Sequence, residues 1–308
     1  MSPVVLAWMR AHGLPAWVLP GYWELAAVAT LLGSVLALRV AARDRASVPH
    51  TARAIACAYV AALVGGYLFE AARALPAALV VHDWRPVLHP GRAAYGGLLC
   101  AMGAATLYLR AARQPLAPFF DRVAIGAGLT FALVRTGCFL AGCDYGRPTW
   151  APWGVRFPRG SLAALDHVRR GFVPRGAPSL PVHPTQLYEA AVGVLAAAAA
   201  ALVLRRRRAR DGRAFAAFLA VYATGRFAIE FLRGDQDRGG LLGLSTAQWV
   251  SVTIGVGLTW WLRRAQSAGG LSAVGTARAN RSAKNSADRA CAGSIAKSGT
   301  PAGTRSLA

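Results

Sequence analysis

The apolar positions of this chain gather into seven long runs, at 22–42, 54–72, 95–112, 119–140, 187–204, 214–232 and 241–262. Each approaches the roughly 20 mainly apolar residues that a membrane-crossing helix needs. The charged residues collect between the runs. This pattern predicts an all-α polytopic membrane protein with about seven transmembrane helices. The fourth run carries Arg135, and the sixth carries Arg226 and Glu230. No cleavable signal-peptide pattern is expected ahead of the first run. Trp8, Trp17, Tyr22 and Trp23 read instead as an aromatic belt at the membrane surface.

The short loops give the orientation. Loop 43–53 holds Arg43, Arg45 and Arg53, and loop 113–118 is flanked by Arg110 and Arg113. Loop 205–213 holds Arg205, Arg206, Arg207, Arg208, Arg210 and Arg213. Alternation puts all three on one side, which the positive-inside rule makes cytoplasmic. The N-terminus is then outside and the C-terminus inside. The long loop 141–186 faces out although it is also arginine-rich, because long loops escape the rule. Residues 1–262 are expected to form the membrane domain. Residues 263–308 are rich in Ala, Ser and Gly, lack periodicity, and are expected to be a disordered, basic cytoplasmic tail.

Charge sharpens this reading. Thirty-five Lys and Arg stand against 13 Asp and Glu, with 55% of residues hydrophobic. An apolar and basic chain suits anionic membrane lipid as a partner. A nucleic-acid-binding protein is also basic, but it does not carry repeated runs of membrane length, so no nucleic-acid partner is expected. The five cysteines show no Cys-x-x-Cys or Cys/His metal spacing, and no metal is expected. Cys138 and Cys143 both fall near the outer side. If their segment stays helical, residues five apart point about 140° from each other, which favours two free thiols over a disulfide.

Ionisable groups inside a membrane are costly and usually functional. By position in the runs, Arg135, Arg226, Glu230, Glu24, Glu70, His183, Glu189 and Tyr95 all fall in the outward half. Taken singly, each has a plain structural explanation: Arg226 neutralises Glu230 one helical turn away, Glu24 is an exposed helix end, and His183 precedes Pro184 at a helix start. Taken jointly, two intramembrane arginines at one depth, with few acids to serve both, suggest an anionic ligand. A guanidinium matches phosphate oxygens bidentately, so a phospholipid headgroup is the expected occupant.

Leu140-Ala141-Gly142-Cys143 reads like a lipobox, but a substrate lipobox lies just after an N-terminal signal peptide, not at residue 143. The surrounding motifs carry a different likeness. "VRTGCFLAGCDYG" (134–146), "PWGVRFP" (152–158), "HPTQLYE" (183–189) and "YATGRFAIEFLRGD" (222–235) with "LSTAQ" (244–248) occur in that order. Together they resemble the prolipoprotein diacylglyceryl transferase family of the bacterial inner membrane. The resemblance implies transfer of the diacylglyceryl group of phosphatidylglycerol to the lipobox cysteine of a preprolipoprotein, whose signal peptide the enzyme binds. It implies a thioether product and no metal or diffusible cofactor. It also implies that Arg135 and Arg226 hold the lipid phosphate and that Glu230 orients Arg226. His183, Gln186, Tyr188 and Glu189 match one motif, Tyr222 another, and Gly142 and Gly146 the signature glycines.

The chain departs from the family in several places. It has Tyr95-Gly96-Gly97 where the family has His-Gly-Gly, and a phenol with pKa about 10 is a poor base at neutral pH. Cys138, Ala141 and Cys143 stand where the signature has Asn, Asn and Glu. These departures leave two further readings: a transferase with another acceptor, or a non-catalytic phospholipid-binding protein on the same scaffold.

Overall fold

The computed structural model describes residues 11–12, 22–88, 94–206, 210–234 and 240–264. Trp8, Trp17 and the segment 265–308 lie outside the described residues. The helices are α1 (Tyr22–Arg43), α2 (Val48–Val81), α3 (Arg85–Leu88), α4 (Ala94–Ala111), α5 (Leu116–Ala141), α6 (Leu162–Arg169), α7 (Thr185–Arg206) and α8 (Arg213–Glu230). A minimal antiparallel ladder joins β1 (Gly240–Leu241) to β2 (Leu244–Ser245). Residues 246–254 are helical again. One compact unit covers Met1–Ile254 and a second covers Gly255–Ala308, in which 255–264 are helical and Arg264 sits 4.1 Å over the Trp260 ring.

Each of the seven apolar runs holds a helix. Two differ from expectation. The second run extends to 34 residues, because Ser47 caps it by accepting from His50 N–H and it continues past Pro76 to His82. The seventh begins at 246 rather than 241, because the Gly243 turn takes up the start of that run. Among the described residues, four helices are long and apolar enough to cross a membrane: Glu24–Arg43, Val48–Val81, Leu116–Ala141 and Thr185–Arg206. Large apolar side chains such as Leu31, Val60, Leu63, Leu68, Leu99 and Leu107 are exposed. A water-soluble monomer rarely shows so much apolar surface; against lipid it carries no penalty.

Small residues let the helices approach closely. A Cβ on Gly126 of α5 would lie 2.5 Å from the Gly33 carbonyl oxygen of α1, and one on Gly128 would lie 2.7 Å from the Gly193 oxygen of α7. Thus α5 is gripped on two sides, by α1 and by α7. α8 packs in turn on α7, and α2 pairs with α4. The start of α8 is fixed from α5: buried Asp121 accepts from Gly212 N–H and Phe215 N–H, both at 2.9 Å. Carboxylate capping satisfies orphan donors and suits the positive end of the helix. At the same end, Asp44 accepts two bonds from Arg210, both at 2.8 Å, and one from Arg122 at 3.2 Å. The bonds and charge of Arg210 hold the Asp44 carboxyl below its usual range.

The opposite end is where α5 stops, α7 starts and α8 stops. The segment 142–184 folds over it. Tyr145, Phe157, Ala163 and Val182 form a small buried core there, joined by Phe139 and Val155. Ser161 caps α6, accepting from Ala164 N–H at 3.2 Å. Buried His167 accepts from Leu180 N–H at 3.1 Å, and burial lowers its pKa. It is a structural residue under the loop.

Candidate functional site

Three arginines and three carboxylates meet where these helix ends converge. Arg135 comes from the last two turns of α5 and Glu189 from the second turn of α7. Arg226 and Glu230 close α8, Arg233 follows it, and Asp144 lies just past α5. Arg135 Nη1 donates to Asp144 Oδ2 at 2.8 Å, and Arg135 Nε lies 2.5 Å from Glu189 Oε2. Arg226 pairs with Glu230 and lies 3.5 Å from Glu189 Oε1. Arg233 bridges Asp144 Oδ1 (2.5 Å) and Glu189 Oε1 (3.2 Å). Glu189 therefore touches all three arginines and is 1% exposed, whereas Asp144 is 32% exposed. Burial alone would raise the Asp144 pKa; the charges of Arg135 and Arg233 outweigh it and hold Asp144 at about 2.

The expected shortage of acids is corrected here. Arg135 and Arg226 are not left for a ligand to neutralise: Glu189, Asp144 and Glu230 serve them, and the cluster balances three charges against three. Arg135 also lies 5.1 Å over the Phe131 ring, which Tyr222 meets edge-on with centroids 4.8 Å apart. Some polar capacity is nevertheless unspent. Four buried side-chain atoms lack a hydrogen bond among the described residues: Arg135 Nε, Glu189 Oε2, Gln186 Oε1 and His167 Nε2. The first three belong to this site. Arg135 Nε and Glu189 Oε2 are close enough to attract, but their contact is not aligned as a hydrogen bond. Buried polar atoms left in this state are uncommon and point to a ligand or to function.

The other expected residues stand around this cluster. Gln186 Nε2 donates to the Cys143 carbonyl oxygen (2.5 Å) and Thr185 Oγ1 to the Asp144 carbonyl oxygen (2.8 Å), so the first turn of α7 holds the chain just past α5. His183 Nδ1 lies 3.3 Å from Tyr188 Oη, which accepts from Trp153 Nε1 at 2.7 Å. Gly142 takes φ 72° to turn out of α5. Gly146 donates to the His183 carbonyl, and a Cβ there would lie 2.5 Å from that oxygen and 2.9 Å from the Leu232 oxygen. Tyr95 occupies the second position of α4; its side chain lies outside the described residues. Glu70 is not in the cluster, being paired at an exposed position with Arg73, and Glu24 is exposed.

Sequence reasoning missed Arg233 and Asp144. A signal for each was available. Arg233 ends the matched "RFAIEFLR" stretch (226–233), and Asp144 directly follows Cys143, which stands at the signature glutamate. The acid sits one position later here.

The fold and site define a multi-pass helical membrane protein with a buried arginine–carboxylate cluster at one end of its bundle. The profile of the prolipoprotein diacylglyceryl transferase family matches residues 17–263, and the chain belongs to that family. It is 32% identical over 165 residues to the phosphatidylglycerol–prolipoprotein diacylglyceryl transferase of Clostridium tetani, covering 53% of this chain and 60% of that protein. It is 35% identical over 205 residues to phosphatidylglycerol–prolipoprotein diacylglyceryl transferase 2 of Streptomyces coelicolor, covering 63% and 59%. With transferase 2 of Clostridium perfringens it shares 34% over 137 residues, covering 44% and 48%. The chain spans about half to three-fifths of the length of these curated relatives.

Proposed function

We propose that this protein transfers the diacylglyceryl group of phosphatidylglycerol to the lipobox cysteine of preprolipoproteins, in a bacterial inner membrane. The C–O bond between the diacylglyceryl carbon and the phosphate breaks, and a C–S thioether forms. Glycerol 1-phosphate leaves with the bonding electrons, and the thiol proton goes to a base. Seven membrane helices, with the N-terminus outside and the C-terminus inside, put the cluster at the outer face. Signal peptides of preprolipoproteins are the protein partners.

One observation carries this reading: Arg135 and Arg233 share Asp144, the most exposed acid of an otherwise buried cluster. An arriving phosphate reaches both guanidinium groups from the Asp144 side and takes over part of that carboxylate's role. Preorganised donors then meet the charge that grows on the departing glycerol phosphate, where they act most strongly. Arg226 and Glu189 hold Arg135 and Arg233 in place. Glu230 orients Arg226, and Tyr222 packs the wall below. His183 and Tyr188, tied to Trp153, line the approach, and Tyr95 tunes the transfer.

Complementation of a strain depleted of its own transferase tests the reading. Maturation of lipoproteins by the wild-type chain, and its loss with Arg135→Ala, supports it. Failure of a well-expressed wild-type chain to restore maturation refutes it.

A further inference from the structure

The end of α5 brings two thiols together. Gly142 N–H donates to the Phe139 oxygen (3.1 Å) and Cys143 N–H to the Cys138 oxygen (3.3 Å). This is the Schellman pattern, in which the residue two past the helix end lies against the last-turn residue whose oxygen it bonds. Those two residues are Cys143 and Cys138. Their sulfurs and an Asp144 carboxylate oxygen all lie within 4.8 Å of one another. Both are free thiols, Cys138 buried and Cys143 half-buried. The helical geometry that argued against a disulfide ends at Ala141, so that argument does not apply here.

Three candidate ligand atoms so close also suggest a soft metal ion. The surroundings oppose it: Arg135 and Arg233 occupy the two Asp144 oxygens, and a cation would sit against two guanidinium groups. A neutral S–S bond meets no such opposition. The Cys143 thiol is pushed up, first by its hydrogen bond with Cys138, then by burial and by Asp144. One thiolate beside one thiol is the state in which exchange begins.

We propose that Cys138 and Cys143 form a reversible disulfide across the end of α5, and that closing it disengages the arginine–carboxylate cluster. The oxidant is a small disulfide, RSSR. One Cys sulfur displaces RSH to form a mixed disulfide; the other displaces the second RSH. The two thiols lose two electrons and two protons, and RSSR becomes two RSH. Closure brings the sulfurs to about 2.05 Å, which draws Cys143 toward α5. Asp144 is the next residue, and its contacts of 2.8 Å and 2.5 Å to Arg135 and Arg233 leave little slack. The effect on transfer rests on the proposed function; the bond itself does not.

The test uses the full chain, folded in detergent with phosphatidylglycerol and treated with hydroxyethyl disulfide. Alkylation without reductant, followed by peptide mass mapping, reads the thiols, with Cys57 and Cys100 as internal references. The expected result is a linked Cys138–Cys143 peptide lacking two hydrogens, reverting with dithiothreitol. Transfer should fall by roughly 10- to 100-fold on oxidation, the scale of a 1 Å misplacement, and return on reduction. Cys143→Ser should make the protein insensitive to the oxidant. Both thiols remaining open to alkylation after treatment overturns the proposal, as does a bond that forms while transfer is unchanged. A parent inactive in both states refutes the proposed function, and the mass map then still decides the bond.

Discussion

Replacing Arg233 with alanine removes a buried cation that touches two acids at once. Its side chain is 4% exposed, and its partners lie at 2.5 Å and 3.2 Å. Breaking a buried ion pair by deleting one partner costs about 3–5 kcal/mol, because the other charge stays buried. Here Glu189 keeps Arg135 at 2.5 Å and Arg226 at 3.5 Å. The cost should therefore fall at the low end, about 3 kcal/mol. Asp144→Ala should cost less, about 1–2 kcal/mol, since Asp144 is a third exposed and its loss leaves Arg233 on Glu189. The double variant should be less damaging than the sum, with a coupling of about 1–3 kcal/mol. Equilibrium unfolding in mixed micelles, followed by helical circular dichroism, measures all four corners. Losses that add to within about 0.5 kcal/mol would mean that the pair does not interact and that the cluster is drawn wrongly.

Three further outcomes follow from other parts of the fold. Asp121→Asn leaves one of the two N–H groups at the start of α8 without its carboxylate partner and should destabilise by about 1–3 kcal/mol in the same unfolding measurement. Acidification should weaken the protein through Asp144. Its folded pKa of about 2 lies below the usual 3.8, so its contribution is complete above pH 4 and lost as pH falls toward 2; Asp144→Asn should flatten that part of the stability profile. Single-cysteine probes at 160–180 should react with an impermeant thiol reagent from outside intact cells, and probes at 205–213 should not. The reverse labelling would invert the proposed topology.

Much of this architecture was legible because lipid imposes a coarse rule. A run of apolar residues with internally satisfied backbone is a helix, and all seven runs held one. What periodicity could not give was the ends. The five-residue delay at 246 comes from a Gly243 turn, and the extension of α2 comes from the Ser47 cap. Arg135 and Arg226 were visible as costly charges, and Glu230 as the partner of Arg226. Arg233, and the pairing of Glu189 and Asp144 with the arginines, were not, because these residues come from three segments whose convergence only the antiparallel packing of α5, α7 and α8 creates. The Cys138–Cys143 proximity was hidden for a similar reason: helical spacing separates them, and the left-handed turn at Gly142 brings them together.

The central claim is that Arg135 and Arg233, held in place by Arg226 and Glu189, grip a lipid phosphate for transfer. Its most direct test is diacylglyceryl transfer from labelled phosphatidylglycerol to a lipobox peptide, compared across purified wild type, Arg135→Ala, Arg226→Lys and Tyr95→Phe. Wild type should give a thioether-linked product. Arg135→Ala should lose about 100-fold or more, the scale of a lost preorganised donor. Arg226→Lys should be badly impaired because it keeps the charge but not the fork, and Tyr95→Phe should lose less than either. A wild-type protein that binds the lipid but never modifies the thiol, or an Arg135→Ala variant as active as wild type, would contradict the account.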